Sequence, residues 1–211
     1  MNARHLAPLF ARAVLACAAS IVTAQAAHAE QGTTQTIVMV RHGEKPDSGL
    51  GQLSCQGLNR ALALPRVIET KYGRPDAIFA PDPSKQKNDR GTKYDYVRPL
   101  ATIEPTAVYF GLPVNASIGF KNADKLTDAL LSPRYQGSLV VVAWEHTVVE
   151  QVARGIVTRY GGDAASVPRW ESPDFDSIYV VRITQHAGGP TVSFTAEREG
   201  LDHRATACPA P

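Results

Sequence analysis

Apolar runs separated by polar turns divide this chain into alternating strand and helix signals. Residues 37–40 form a short apolar run rich in β-branched and large side chains, the pattern of a strand buried on both faces. Residues 139–144 repeat it, and residues 77–80 and 114–116 give shorter versions. Ser54 can cap a helix running through Leu58, Leu62 and Val67, with Pro65 marking a kink or an early end. Residues 99–110 read as a helix with Pro99 in its first turn and Pro105 disturbing its middle. Residues 125–131 are helical, and residues 148–160 form an amphipathic helix stopped by Gly161-Gly162. Residues 177–184 and 191–196 form a closing strand pair across Gly188-Gly189. Residues 81–96 are polar and read as a long loop. The alternation predicts an α/β fold with a largely parallel central sheet and helices on both faces.

The amino-terminal pattern is different. Arg4, His5 and Arg12 are followed by a short apolar stretch and then by Ala27-His28-Ala29, a small-residue cleavage pattern. This reads as a secretory signal over residues 1–29, with residues 30–211 as a single domain. The apolar part is too short for a membrane anchor. Export implies a periplasmic or secreted protein. It leaves Cys55 and Cys208 as an even pair in an oxidising compartment, where they are expected to form a disulfide. The 211 residues carry a formal net charge of +2, too small to imply a nucleic-acid partner.

The chemistry lies at the strand ends. The first apolar run stops in Arg41-His42-Gly43, and the run at 139–144 is followed by Glu145-His146. In open α/β sheets, ligands bind at the carboxyl ends of strands. Arginine suits phosphate recognition, and histidine is a nucleophile and base near neutral pH. Arg98 opens a predicted helix, where free amides also favour an anion. Lys45 can add a further cation. None of the histidines outside the signal has metal-ligand spacing, and Gly49-Leu50-Gly51 lacks the third glycine of a dinucleotide fingerprint, so neither metal nor cofactor is expected.

Taken in order, these motifs resemble the histidine phosphatase superfamily, the phosphoglycerate mutase-like and acid phosphatase group. The residues that carry the resemblance are Arg41-His42-Gly43, the stretch Leu53-Ser54-Cys55-Gln56-Gly57-Leu58-Asn59-Arg60-Ala61, Arg98 with Thr102, and His146. It implies a phosphoglycerate mutase-like three-layer sandwich and a small phosphorylated substrate. It also implies that His42 is the nucleophile and that Arg41, Arg98 and His146 hold the phosphoryl oxygens. The expected activity is hydrolysis of phosphomonoesters through phosphohistidine, with the cations replacing a metal. The proton donor departs from the family pattern. Glu145 is named for it, although strict strand alternation points it away, and Glu44 and Asp124 are rivals. Without such an acid, a phosphoprotein or phosphoanhydride hydrolase of the same fold is the alternative. A catalytically silent phosphate-binding module is the non-enzymic one. Loop 81–96 reads either as a solvated run of mixed charge or as a lid that sets substrate choice.

Overall fold

The computed structural model describes residues 32–210 together with Met1. Apart from Met1, the expected signal lies outside the described residues. Six strands form the central sheet: β1 (Thr34–Arg41), β2 (Ala77–Pro81), β5 (Val114–Ile118), β6 (Leu139–Trp144), β7 (Ser177–Thr184) and β8 (Thr191–Arg198), in the spatial order β5-β2-β6-β1-β7-β8. β5, β2, β6 and β1 pair in parallel, while β7 runs antiparallel to both β1 and β8. The expected α/β fold with a mostly parallel sheet is therefore the observed one.

Side-chain alternation along the buried strands builds two cores. Ile37, Met39, Val140, Val142 and Trp144 face α3 (Ala123–Leu130) and α4 (His146–Arg159). Val38, Val40, Val141 and Ala143 face α1 (Cys55–Tyr72) and α2 (Arg98–Phe110). Each long helix presents one apolar stripe. In α4 the stripe is Val148, Val149, Val152, Ala153, Ile156 and Val157, the spacing of a single helical face. Together these layers make a helix–sheet–helix sandwich. Among the described residues no helix is long and apolar enough to cross a membrane.

Two sequence expectations are corrected. Pro65 does not end α1, which runs on to Tyr72. An interior proline costs about 3 kcal/mol, and burial of Leu64 and Ile68 on either side of it offsets that loss. Residues 81–96 are not a loop throughout. They contain a hairpin of β3 (Gln86–Asp89) and β4 (Thr92–Asp95), separate from the central sheet. Its two-residue turn, Arg90-Gly91, has φ of 56° and 91°. Positive φ at both turn positions matches the twist of a tight hairpin.

The start of α1 is tied down by close packing and by charge. Ser54 accepts a hydrogen bond from the Gly57 amide at 3.2 Å, as its capping position predicted. A side chain on Gly57 would collide with the backbone of Glu44, and one on Gly43 would lie 2.9 Å from the Gly57 carbonyl. The two glycines let α1 pack directly on the segment that follows β1. One turn on, Arg60 is fully buried, donating to Glu44 (2.7 Å), Glu199 (2.6 Å), Asp202 (3.2 Å) and Asp176 (3.4 Å). The expected Cys55–Cys208 disulfide is present and joins the first residue of α1 to the carboxyl-terminal tail. Asn59 reinforces the join by donating to the carbonyls of Ala205 and Ala207, each at 2.8 Å.

Arg60 is expected to be the most sensitive charged residue for stability. Removing one partner of a buried ion pair costs about 3–5 kcal/mol because the opposite charges stay buried and uncompensated. Arg60→Met is therefore expected to lower unfolding free energy by about that amount in a denaturant titration. A loss below about 1 kcal/mol, the range of exposed ion pairs, would contradict this account.

Candidate active site

The pairing of β1 with β6 brings the two motifs together. Arg41 lies in register with Trp144, and the His42 amide donates to the Trp144 carbonyl at 2.9 Å. Both strands run in the same direction, so Arg41-His42 and Glu145-His146 emerge side by side at one sheet edge. Thr102 adds the third element. Its hydroxyl accepts from the Gly43 amide at 2.9 Å and donates to the Arg98 carbonyl at 2.8 Å. One side chain thus couples the segment after β1 to the first turn of α2. The four-residue spacing of Arg98 and Thr102 is what makes that bridge.

The hydrogen bonding of His42 sets its tautomer. Nδ1 lies 2.8 Å from the Gly43 carbonyl oxygen. A carbonyl only accepts, so Nδ1 carries the proton and Nε2 keeps its lone pair. Burial, with repulsion from Arg41, Arg98 and Lys87, pushes the imidazole down to about 3, although the Gly43 bond opposes this. His42 is therefore neutral at physiological pH, with a free ring nitrogen among cations.

Those cations are held in different ways. Arg41 donates through Nη1 to the carbonyls of Ser172 (2.6 Å) and Asp174 (2.8 Å), and its guanidinium stacks 3.9 Å above the Phe175 ring. Burial lowers it to about 10, which leaves it charged at neutral pH. Arg98 donates through Nη1 to Asp89 on β3 at 2.5 Å. In both arginines Nε is buried without a partner, a donor that an incoming anion would satisfy. Asp89 is itself held by the glycine-rich turn. The Gly51 amide donates to it at 3.3 Å, and a side chain on Gly49 would lie 2.7 Å from its carboxyl carbon. Gly49, Leu50 and Gly51 all have positive φ, at 86°, 62° and 69°. The turn therefore serves to cradle the Arg98 counter-ion.

His146 is the first residue of α4, and Glu145 is that helix's cap. The strand ends at Trp144, so alternation no longer governs Glu145, whose carboxylate lies beside His146 and near enough to Arg41 and Lys87 to favour their charged forms. Its Oε1 lies 2.8 Å from His146 Nδ1, without the alignment of a hydrogen bond, and its Oε2 accepts from the Thr147 hydroxyl. Burial raises Glu145, but His146, Thr147 and Lys87 outweigh it and hold the carboxyl down to about 2. It carries no proton in the free protein at neutral pH. A proton-donor role would require a proton acquired with the substrate.

A cleft of about 610 Å³ opens at this edge, lined by Arg41, Lys45, Arg90, His146 and Phe175 among others. Glu44 also lines it, but both carboxylate oxygens are engaged by Arg60. Asp124 does not reach this cleft. It lies on α3 beside a different one, with Asp128 and Arg159, because its helix packs on the opposite face from α1 and α2. Lys87 and Asp89 lie in the segment read as a solvated run or a lid, and neither is singled out from the sequence as standing beside Arg98 and His42. Their signal was the alternation of residues 86–89 ahead of an Arg-Gly turn.

No family model matches the chain, and no curated protein matches it. Solved structures do share its fold. A candidate phosphohistidine phosphatase SixA from Nakamurella multipartitia aligns with a TM-score of 0.51 at 13% identity, over 78% of this chain and 95% of that one. Mycobacterial glucosyl-3-phosphoglycerate phosphatase Rv2419c with inorganic phosphate aligns with a TM-score of 0.50 at 14% identity, over 76% of this chain and 95% of that one. The chain thus has the α/β fold of these phosphatases. They are members of the histidine phosphatase superfamily.

His42 is expected to resist protonation. Its depressed value means that the unfolded chain, near 6.5, binds the proton first, so this group's contribution to stability is present above about 6.5 and is lost as pH falls toward about 3. Long-range proton–nitrogen spectra should show a neutral His42 ring protonated at Nδ1 down to about pH 4. A midpoint near 6.5, or a proton on Nε2, would refute the tautomer assigned above.

Proposed function

We propose that this chain is a phosphatase that hydrolyses phosphomonoesters through a phosphohistidine on His42, with no metal required. The observation that supports this reading most is the neutral His42, whose Nδ1 faces the Gly43 carbonyl, with Arg41 and Arg98 close by and His146 following the neighbouring strand. In the first step Nε2 attacks phosphorus, the ester P–O bond breaks, and its electron pair leaves on the alcohol oxygen. The Nδ1–H bond to the Gly43 carbonyl favours the positive charge that develops on the ring. The free Nε groups of Arg41 and Arg98 are available to the phosphoryl oxygens. Water then attacks phosphorus, the P–N bond breaks, and His42 is restored with orthophosphate released. His42 is only 3% exposed, so Phe175 or the hairpin must give way as the phosphate enters.

Glu145 favours a second reading within this chemistry. An ionised carboxylate does not protonate an alkoxide, so substrates whose leaving groups need no proton from the protein are preferred. Phosphoanhydrides, which release a phosphate anion, and ring-protonated phosphohistidine, which releases neutral imidazole, are of that class. Lys45 would add to phosphate binding from the rim of the cleft. The reading also takes residues 1–29 as a signal and residues 30–211 as one exported phosphatase domain. The Cys55–Cys208 disulfide supports an oxidising compartment.

The test is hydrolysis of p-nitrophenyl phosphate with and without chelator. Turnover is expected to survive the chelator and to fall by about 10³-fold or more in His42→Ala, the scale of nucleophile removal. Acid quench should trap labelled phosphate on His42. Turnover that His42→Ala leaves intact would overturn the phosphohistidine route, and no turnover of aryl phosphate or diphosphate at any pH would leave the binding module.

A further inference from the structure

The hairpin β3–β4 has an inward edge. Gln86 and Asn88 are exposed, while Lys87 is half-buried and Asp89 is buried, the alternation of a strand with one face against the protein. Asp89 has a clear task, since it holds Arg98. Lys87 has none. Its ammonium lies 4.8 Å from the centre of the Tyr96 ring and 5.7 Å from that of Phe120. Among the described residues no carboxylate comes within 4.0 Å of it, in contrast to Lys85, which pairs with Asp82 at 3.6 Å.

Tyr96 links Lys87 to the nucleophile. The His42 ring packs edge-on against the same Tyr96 ring, with centroids 6.0 Å apart and planes at 90°. Arg98 also lies 5.2 Å from that ring. A lysine, an arginine and the nucleophilic imidazole therefore converge on one buried aromatic. Lys87 is moreover close enough to disfavour protonation of His42 and to favour ionisation of Glu145. Burial, together with repulsion from Arg98 and Lys45, lowers Lys87 itself, while Glu145 and Asp89 only partly oppose this. A half-buried cation whose contacts are aromatic faces and no carboxylate gains from an arriving anion. Asp89 already neutralises part of Arg98, so the four-residue set of Arg41, His42, Arg98 and His146 has less free positive charge than its composition suggests.

We propose that Lys87 is a further phosphate-binding residue, carried by the hairpin over His42 so that its ammonium holds an oxygen of the phosphoryl group. The inference rests on the phosphatase reading above for its ligand. It also makes the hairpin part of the site rather than a solvated loop. Binding of phosphate would pull Lys87 onto the anion and draw the hairpin down. The Asp89–Arg98 pair anchors the hairpin beside its turn while this happens.

The experiment uses the full chain and four proteins: wild type, Lys87→Met, Lys87→Arg and Lys85→Met. Methionine keeps the packing of the lysine stem on Tyr96 and removes the charge. Lys85→Met removes a charge from the exposed approach to the hairpin and serves as a control. Inorganic phosphate affinity is measured by calorimetry, and kcat and KM by p-nitrophenyl phosphate hydrolysis. Loss of a charge-assisted hydrogen bond predicts phosphate binding about tenfold to a hundredfold weaker in Lys87→Met. Lys87→Arg should recover most of it, and Lys85→Met should stay within twofold of wild type. Wild-type turnover with Lys87→Met binding phosphate within twofold of wild type would overturn the role of Lys87 and leave the phosphatase reading standing. Phosphate binding without turnover, lost in Lys87→Met, would uphold Lys87 and overturn the enzyme. A wild type that neither binds phosphate nor turns over would overturn both. Lys87→Met unfolding at a temperature well below wild type, with Lys87→Arg no better at binding phosphate, would assign Lys87 to hairpin packing and also overturn the proposal.

Discussion

The site depends first on the parallel register of β1 and β6. Because Arg41 faces Trp144 and the His42 amide continues the ladder onto the Trp144 carbonyl, the two histidine-bearing segments leave the sheet at the same level. A slip of one residue would send every side chain of β1 to the opposite core. That slip is resisted because the two cores are filled by different helices, α3 and α4 on one side and α1 and α2 on the other. The packing of the sandwich is thus what fixes the position of His42.

A second constraint is the way charge is distributed away from and toward the cleft. Four carboxylates converge on the buried Arg60, and among them Glu44 is only two residues beyond His42. Tying Glu44 to Arg60 neutralises a carboxylate at the wall of the cleft. The opposite holds for Arg41 and Arg98, each left with a buried, unpartnered Nε. The tail is drawn into the same region. Cys208 is bonded to Cys55, and Thr206 lines the cleft beside Ser54 and Gln56. The tail therefore reaches the cleft through Thr206, more than 160 residues beyond β1 in sequence.

Much of this was legible before any coordinates. The bounds of β6 and β7 match the runs read from the sequence, and β1 extends its run from 37–40 to Thr34–Arg41. Long buried strands are legible because burial on both faces forces continuous apolar composition. The hairpin was not legible in that way. Its strands are four residues each and mostly polar, with Asp89 buried and only Lys87 and Tyr94 half-buried. Polar alternation of that length looks the same in a solvated loop, and only the aromatic floor of Tyr96 and Phe120 distinguishes the two.

Sequence alone determined the alternation of strands and helices, the strand-end positions of Arg41, His42 and His146, the capping of α1 by Ser54 and the pairing of the two cysteines. Each follows from local periodicity, local hydrogen-bond chemistry or simple counting. Tertiary structure decided which charges are spent and which are free. Arg60 and Arg98 are both buried arginines near helix starts, yet one is satisfied by four carboxylates and the other retains an open donor. It also decided that Glu145 turns toward His146 and is ionised, and that His42 is neutral. The reason is that protonation and pairing depend on burial and on partners brought from distant parts of the chain. Neither quantity is encoded in the spacing of residues along one segment.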